Sequence, residues 1–402
     1  MGLNMYASLL FAGFIAAFAI APVAPEAGNI LFLVVGGVGL TAMRSDALVL
    51  FRRPIIWMPL IAIALVGSAY FLAAGSAGLV GILYFAPLLC IWPLVNAAHK
   101  AEISGVVSML AVVALCGAAG AGLMAIQDVI ATGTTRSGGG IANPIHFADV
   151  ALLAGFVGVL GVFAGSGRWR LLFFVSPLMA VAAVLLSGTR GAVVATVVMT
   201  VTMIVAAAAA RLVSRRALVL GIGILALLCL AALQLGAGSL SGVQRVLADI
   251  GDTLINGVPT DTSTDLRLQM YLGGLRAFLS SPFIGHGPLT FTSAAGALAD
   301  VPFDGVPHLH NDLADMAASA GILGLMAYLF LLVAPIMEVF SAPQAAVRAE
   351  RSVVIITLVA GYFVMGLTNA MFGILTVTTL FAAICILAGV LANERPEGSP
   401  KD

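Results

Sequence analysis

Two imidazoles, an amide and a carboxylate stand together in Pro307-His308-Leu309-His310-Asn311-Asp312, where a long polar segment runs back into a hydrophobic one. Polar groups beside lipid are costly unless they are paired or used. His310-Asn311 is followed by nine residues and then by Gly321-Ile322-Leu323-Gly324. Asp312, Asp315 and Ser319 follow at helical spacing and would form one polar stripe below His310. The two glycines, three apart, would share a face and admit a close helix neighbour. On this pattern His310 reads as a general base at a helix mouth, tuned by nearby carboxylates. An interfacial loop capped by Asn311 or Asp312 fits the same spacing. Zinc bound by His308, His310 and Asp312 would lack a further ligand.

Three other clusters could act with it. Ser187-Gly188-Thr189-Arg190-Gly191 joins two apolar runs by a tight turn and fixes Arg190 at a membrane surface. Snorkelling would explain such an Arg, but glycine on both sides suggests a close approach to the backbone. Asp265 to Phe278 reads as an amphipathic helix with Arg267 and Tyr271 at i,i+4 and Arg276 further along. Pro282-Phe283-Ile284-Gly285-His286-Gly287 follows as a turn. Arg267 could bind an anion or simply pair with Asp265 or Asp261. Arg136 opens the glycine-rich run Arg136 to Pro144, and Asn143, His146 and Asp149 follow at threefold spacing. That run could cradle phosphate or serve as a linker.

The elements that must position these residues are membrane helices. The chain is 61% apolar and 9% charged, with a mean hydropathy of +1.13, against about 25% charged in soluble domains. Zero net charge argues against a nucleic-acid partner. Cys90, Cys116, Cys229 and Cys385 all fall in apolar runs and read as small hydrophobes. The N-terminus reads as a first membrane helix and not as a signal peptide.

At about 20 residues per span, the expectation is an all-α integral membrane protein with about 12 transmembrane helices. They begin near Met5, Asn29, Ile55, Ala77, Ile103, His146, Leu171, Gly191, Ala217, Asp312, Ser352 and Gly373. Residues 1–402 form a single polytopic domain, with a loop at 237–311 inserted between helices 9 and 10. Two stretches of that loop, Val243–Ile255 and Asp265–Leu279, read as helical.

With the N-terminus in the cytoplasm, thirteen of the eighteen Lys and Arg residues fall inside. Arg136, Arg190, Arg245, Arg267 and Arg276 fall outside. The positive-inside rule then places both termini in the cytoplasm and the long loop in the periplasm. His146, His286, His308 and His310 share the outer face, and only His99 lies inside. Arginine pairs bidentately with phosphate and histidine moves protons, so chemistry on a phosphate-bearing substrate is expected there.

On these motifs the chain resembles the O-antigen ligase and polymerase family from about Thr135 to Gly324. The resemblance rests on Arg136 to Asn143, Thr189-Arg190-Gly191, Arg267 with Pro282 to Gly287, and His310-Asn311 with Gly321 and Gly324. It implies a GT-C-like, metal-independent, inverting glycosyltransferase of the bacterial inner membrane that needs no cofactor. The donor would be a glycan on undecaprenyl diphosphate. The acceptor would be a hydroxyl of lipid A–core in lipopolysaccharide biosynthesis. His310 would deprotonate the acceptor, while Arg190 and Arg267 would hold the departing diphosphate. Arg136, Asn143, His146, Tyr271, Arg276, His286, His308, Asn311 and Asp312 would line the substrate. Leu313-Ala314 and Ser319 depart from the aromatic and acidic residues common in relatives.

A polymerase using the same donor, a protein O-oligosaccharyltransferase and a transporter are the alternatives. Transport would want internal repeats and midplane charges, whereas the ionisable residues here gather at one surface.

Overall fold

The computed structural model describes residues 3–41, 43–101, 105–140, 142–164, 167–214, 241–249, 251–252, 257, 262–299, 301–303, 305–341 and 345–393. Among these the chain is helical and has no strand. The principal helices are α1 (Leu3–Ile20), α2 (Pro25–Thr41), α3 (Pro54–Gly78), α4 (Ile91–Ala101), α5 (Val106–Thr132), α6 (Pro144–Val157) and α7 (Val175–Ser187). They continue with α8 (Arg190–Ala209), α9 (Ser241–Ala248), α10 (Thr262–Ser280), α11 (Phe291–Ala299), α12 (Asp312–Phe340), α13 (Ala345–Gly366) and α14 (Leu375–Asn393).

Eight helical stretches among the described residues are long and apolar enough to cross a membrane. The chain is a multi-pass membrane protein, but its spans are grouped differently from the twelve expected. The starts near Ile55 and Ala77 both fall in the 48-residue stretch Pro54–Ala101, which non-helical backbone interrupts at Gly75. Those near Met5 and Asn29 fall in shorter apolar helices. The span expected from Ala217 lies outside the described residues. The remaining starts each match a separate span. A helix surrounded by lipid and other helices needs no polar face, so these spans carry apolar residues all round. α14 is almost wholly enclosed by its neighbours, whereas few residues of α8 are buried.

The longest helix, α12, is broken. Gly321 has φ +61° and ψ −146°, and this interrupts the ladder of backbone hydrogen bonds. In a membrane every freed backbone group must find another partner. Residues 282–287 supply them. The amides of His286 and Gly287 donate to the carbonyls of Ala318 and Ser319, each at 2.9 Å. Ile322 donates in turn to the Pro282 carbonyl at 2.8 Å. Gly321 and Gly324 therefore do not serve a neighbouring helix, as helical spacing suggested. Gly321 allows the break, and Gly324 sits where the bent helix brings the Met316 carbonyl close.

α3 packs along α12 and is tied to it at both ends. Near the break, the Tyr70 and Ser319 hydroxyls meet at 3.3 Å. At the far end Glu338 is buried. Its Oε1 accepts from Arg53 Nε at 2.7 Å and also from Arg53 Nη2, and its Oε2 accepts from the Ile55 amide at 3.2 Å. Arg53 Nη2 further donates to the Gly389 carbonyl of α14 at 2.8 Å.

A Cβ at Gly321 would lie 2.5 Å from the Phe283 carbonyl carbon. Left-handed backbone alone costs a side chain on the order of 1–3 kcal/mol. Gly321→Ala is therefore expected to lower the thermal midpoint of the detergent-solubilised protein. Gly37→Ala, whose Cβ would meet open space, should leave the midpoint unchanged or raise it. Equal midpoints for the two variants would contradict this role for the break.

Candidate functional site

The site is built on the turn between α7 and α8. Gly188 ends α7 in left-handed conformation, and Thr189 is the N-cap of α8, which makes Arg190 its first residue. The Thr189 amide donates to Ser187 Oγ at 3.2 Å, and Ser187 Oγ donates to the Val184 carbonyl at 2.7 Å. Gly191 lies directly against Thr368 Oγ1, and a side chain there would collide with it. The glycine loop is pinned to the same turn. Ser137 N donates to the Leu186 carbonyl at 2.9 Å, and Thr189 Oγ1 donates to that of Pro144 at 3.3 Å.

These contacts surround a cavity of about 240 Å³ lined by Arg136, Arg190, Arg245 and Arg267, with Asp149, Thr368 and Asn369. Arg190 Nη1 donates to both oxygens of Asp249 at 3.0 Å and to Thr264 Oγ1 at 2.8 Å. Among the described residues Arg267 has no carboxylate partner. Burial lowers the pKa of Arg136, and the guanidinium groups of Arg245, Arg190 and Arg267 lower it further. Arg136 is thus crowded by three other cations, of which Arg190 is paired with Asp249. Asp149 is buried, and its Oδ2 lacks a hydrogen-bond partner among the described residues.

The histidine loop lies next to this cavity. His310 has φ +56°, an uncommon conformation for a residue other than glycine. Its neighbours hold it there. Asp315 Oδ1 accepts from the Leu309 amide at 2.7 Å, between the two histidines. Asn311 is the N-cap of α12 and accepts from Leu313 and Ala314 amides at 2.9 and 3.2 Å. The Tyr271 hydroxyl faces the carbonyls of His310 and Leu367 at 3.3 and 3.2 Å. Asn311 Nδ2 donates to the same Leu367 carbonyl at 3.2 Å. Leu367 immediately precedes Thr368 and Asn369 on the cavity wall, so the two halves of the site share one backbone segment.

The rings of His308 and His310 meet edge to face at 4.3 Å. Burial pushes the His310 pKa from 6.5 down to about 4, with further contributions from His308 and then Arg267. Burial also lowers that of His308, followed by the influence of His146. His310 is thus a neutral imidazole at neutral pH, with a buried Nδ1 that has no hydrogen-bond partner among the described residues.

The predicted residues divide accordingly. Arg136, Arg190 and Arg267 line the cavity, and Tyr271, Asn311, His146, His308 and His310 gather beside it. Asp312 is buried below and accepts from the Phe372 amide at 3.1 Å, which makes it a scaffold for the shared segment. Asn143 caps α6 by accepting from Ile145 N at 2.9 Å. The structure sets two residues apart. Arg276 donates to the Leu298 carbonyl at 2.6 Å. His286 Nε2 lies 2.9 Å from Ser280 Oγ and 3.0 Å from the Ala277 carbonyl, at the end of α10.

Sequence reading did not assign Arg245, Asp249, Thr264, Thr368 and Asn369 to the site. Of these only Arg245 left a signal, as one of the five outer arginines. Among the described residues no group of three or more His, Cys, Asp or Glu could hold a metal.

A family model described as O-antigen ligase matches residues 175–329. That stretch runs from α7 into α12 and includes Arg190, Arg245, Arg267, His310 and both sides of the helix break. No curated protein matches the chain.

Imidazoles acylate with diethyl pyrocarbonate only when neutral. Since a lowered pKa keeps the neutral form down to lower pH, His310 should stay reactive until the pH falls towards 4. Peptide mapping of His310 modification against pH measures this. A midpoint at 6.5 or above would contradict the effects of burial and of the adjacent cations.

Proposed function

We propose, from the match of residues 175–329 to the O-antigen ligase family model, that the chain is an inverting ligase of the inner membrane. It would take a glycan from undecaprenyl diphosphate and attach it to a hydroxyl of lipid A–core at the periplasmic face. The family supports glycosyltransferase-like chemistry on lipid-linked glycans in general. The observation that supports the narrower reading is one cavity lined by four arginines beside a neutral, half-buried histidine.

In this reading the diphosphate of the donor occupies the arginine cavity and takes the place of Asp249 against Arg190. The acceptor hydroxyl stands beside His310. Its oxygen attacks the anomeric carbon on the face opposite the diphosphate, and His310 takes its proton. The new C–O bond forms as the bond to diphosphate breaks, and the diphosphate leaves with the electron pair. Arg190 and Arg267, with Arg136 and Arg245, stabilise the charge that develops on it. Preorganised donors in a water-poor site are most effective at this. The arginines supply the positive charge that a metal would otherwise bring, so the reaction would run without one. Asp315 and Tyr271 act through His310, as positioning residues.

The test is transfer by purified protein in detergent with EDTA, from an undecaprenyl-diphosphate glycan to truncated lipid A–core. His310→Ala should lower the rate by about 10²–10⁴, the usual worth of a general base. Arg190→Lys keeps the charge but loses the planar fork and should lower it by about 10². If both variants transfer like wild type, the assignment of these residues fails. Lengthened lipid-linked chains without transfer to the core would identify a polymerase with the same donor.

A further inference from the structure

α10 has two opposed faces. Met270, Gly273, Gly274 and Ala277 are buried. Gly273 lies against the backbone of Ala295 in α11, and Gly274 lies against Leu309 and Ala314. On the other side of the helix, Leu268, Leu272, Leu275 and Leu279 recur at intervals of four, three and four. They are 36%, 49%, 54% and 66% exposed, and Phe283 just beyond is 74% exposed. At 3.6 residues per turn these leucines fall on one stripe directly opposite the buried face. Arg267 and Tyr271 flank the stripe on the side of the site, and Asp265, Gln269 and Arg276 flank it on the other.

A single exposed leucine needs no explanation, but a contiguous apolar stripe does. Its surroundings indicate what covers it. The segment that follows α10 packs on the end of α3, with Gly287 against Ala73 and Ala74 and Pro288 against Gly81. There the apolar stretch Pro54–Ala101 exposes Phe71, Leu72 and Leu83 to its surroundings. The leucine stripe thus continues the surface of a membrane-spanning stretch. Its polar flank is what an interfacial helix presents to water and headgroups.

We propose that α10 lies in the bilayer interface, with Leu268, Leu272, Leu275, Leu279 and Phe283 among lipid acyl chains. The partner of this face is the lipid surface itself. Part of the segment expected to be an aqueous loop is thereby a membrane-bound helix, which sets Arg267 and Tyr271 at the depth of the lipid headgroups.

The experiment is site-directed spin labelling of the full chain in phospholipid nanodiscs, after replacement of its four cysteines. Labels at Leu275→Cys and Leu279→Cys are compared with one at Asp265→Cys. Collision rates are measured with oxygen, which partitions into lipid, and with a water-soluble nickel chelate. The expected result is a ratio of oxygen to nickel accessibility several-fold higher at Leu275→Cys and Leu279→Cys than at Asp265→Cys. Ratios equal to that of Asp265→Cys would place the stripe in water and overturn the proposal. Shielding from both reagents would also overturn it, since a second copy of the chain would then cover the face. The two leucine positions are read independently, so failure of one variant to fold leaves the other to decide.

Discussion

The absence of water inside a bilayer governs how this site is assembled. A continuous α12 would satisfy its own backbone and owe nothing to the rest of the chain. Breaking it at Gly321 frees carbonyls and an amide that must be matched within the protein. The matching partners are the amides of His286 and Gly287 and the carbonyl of Pro282, which follow directly from α10. Through that match, the helix that carries Tyr271 and Arg267 is locked to the helix that begins just after His310. The His310 ring and the arginine cavity keep their spacing because the backbone on both sides is hydrogen-bonded across the break.

Charge placement follows a similar economy. The arginines reach the cavity from α8, α9, α10 and the glycine loop, and no single element could supply them all. Asp249 pairs with one of them, Arg190. Burial, followed by the influence of His308 and then Arg267, keeps His310 neutral, which is the protonation state that a base requires.

Much of this was legible in the residues, for reasons that differ by element. Apolar runs with few charges can be stable only as membrane helices, so the class of fold was readable from composition. The turn at Arg190 was readable because glycines bracket it. The His310 motif was readable because polar groups at a lipid boundary are rare. What stayed hidden depends on distance along the chain. Asp249 lies 59 residues from Arg190, and nothing local distinguishes it from other loop carboxylates. The role of Gly321 was misread because helical spacing assumes an unbroken helix. Asn143 was grouped with possible ligands, yet its oxygen is used on its own helix. The spans expected at Ile55 and Ala77 fall in one apolar stretch that non-helical backbone at Gly75 interrupts, as at Gly321.

The pair formed by Arg53 and Glu338 bears on how the protein is made. The two residues are 285 positions apart, and Glu338 lies near the end of a long apolar helix. During synthesis the arginine is already in place, at the start of α3, when the glutamate emerges. A carboxylate entering lipid without a counterion faces a steep barrier, which falls when it is delivered directly to a waiting guanidinium. Chain order therefore puts the counterion in an early helix and the carboxylate that needs it in a late one.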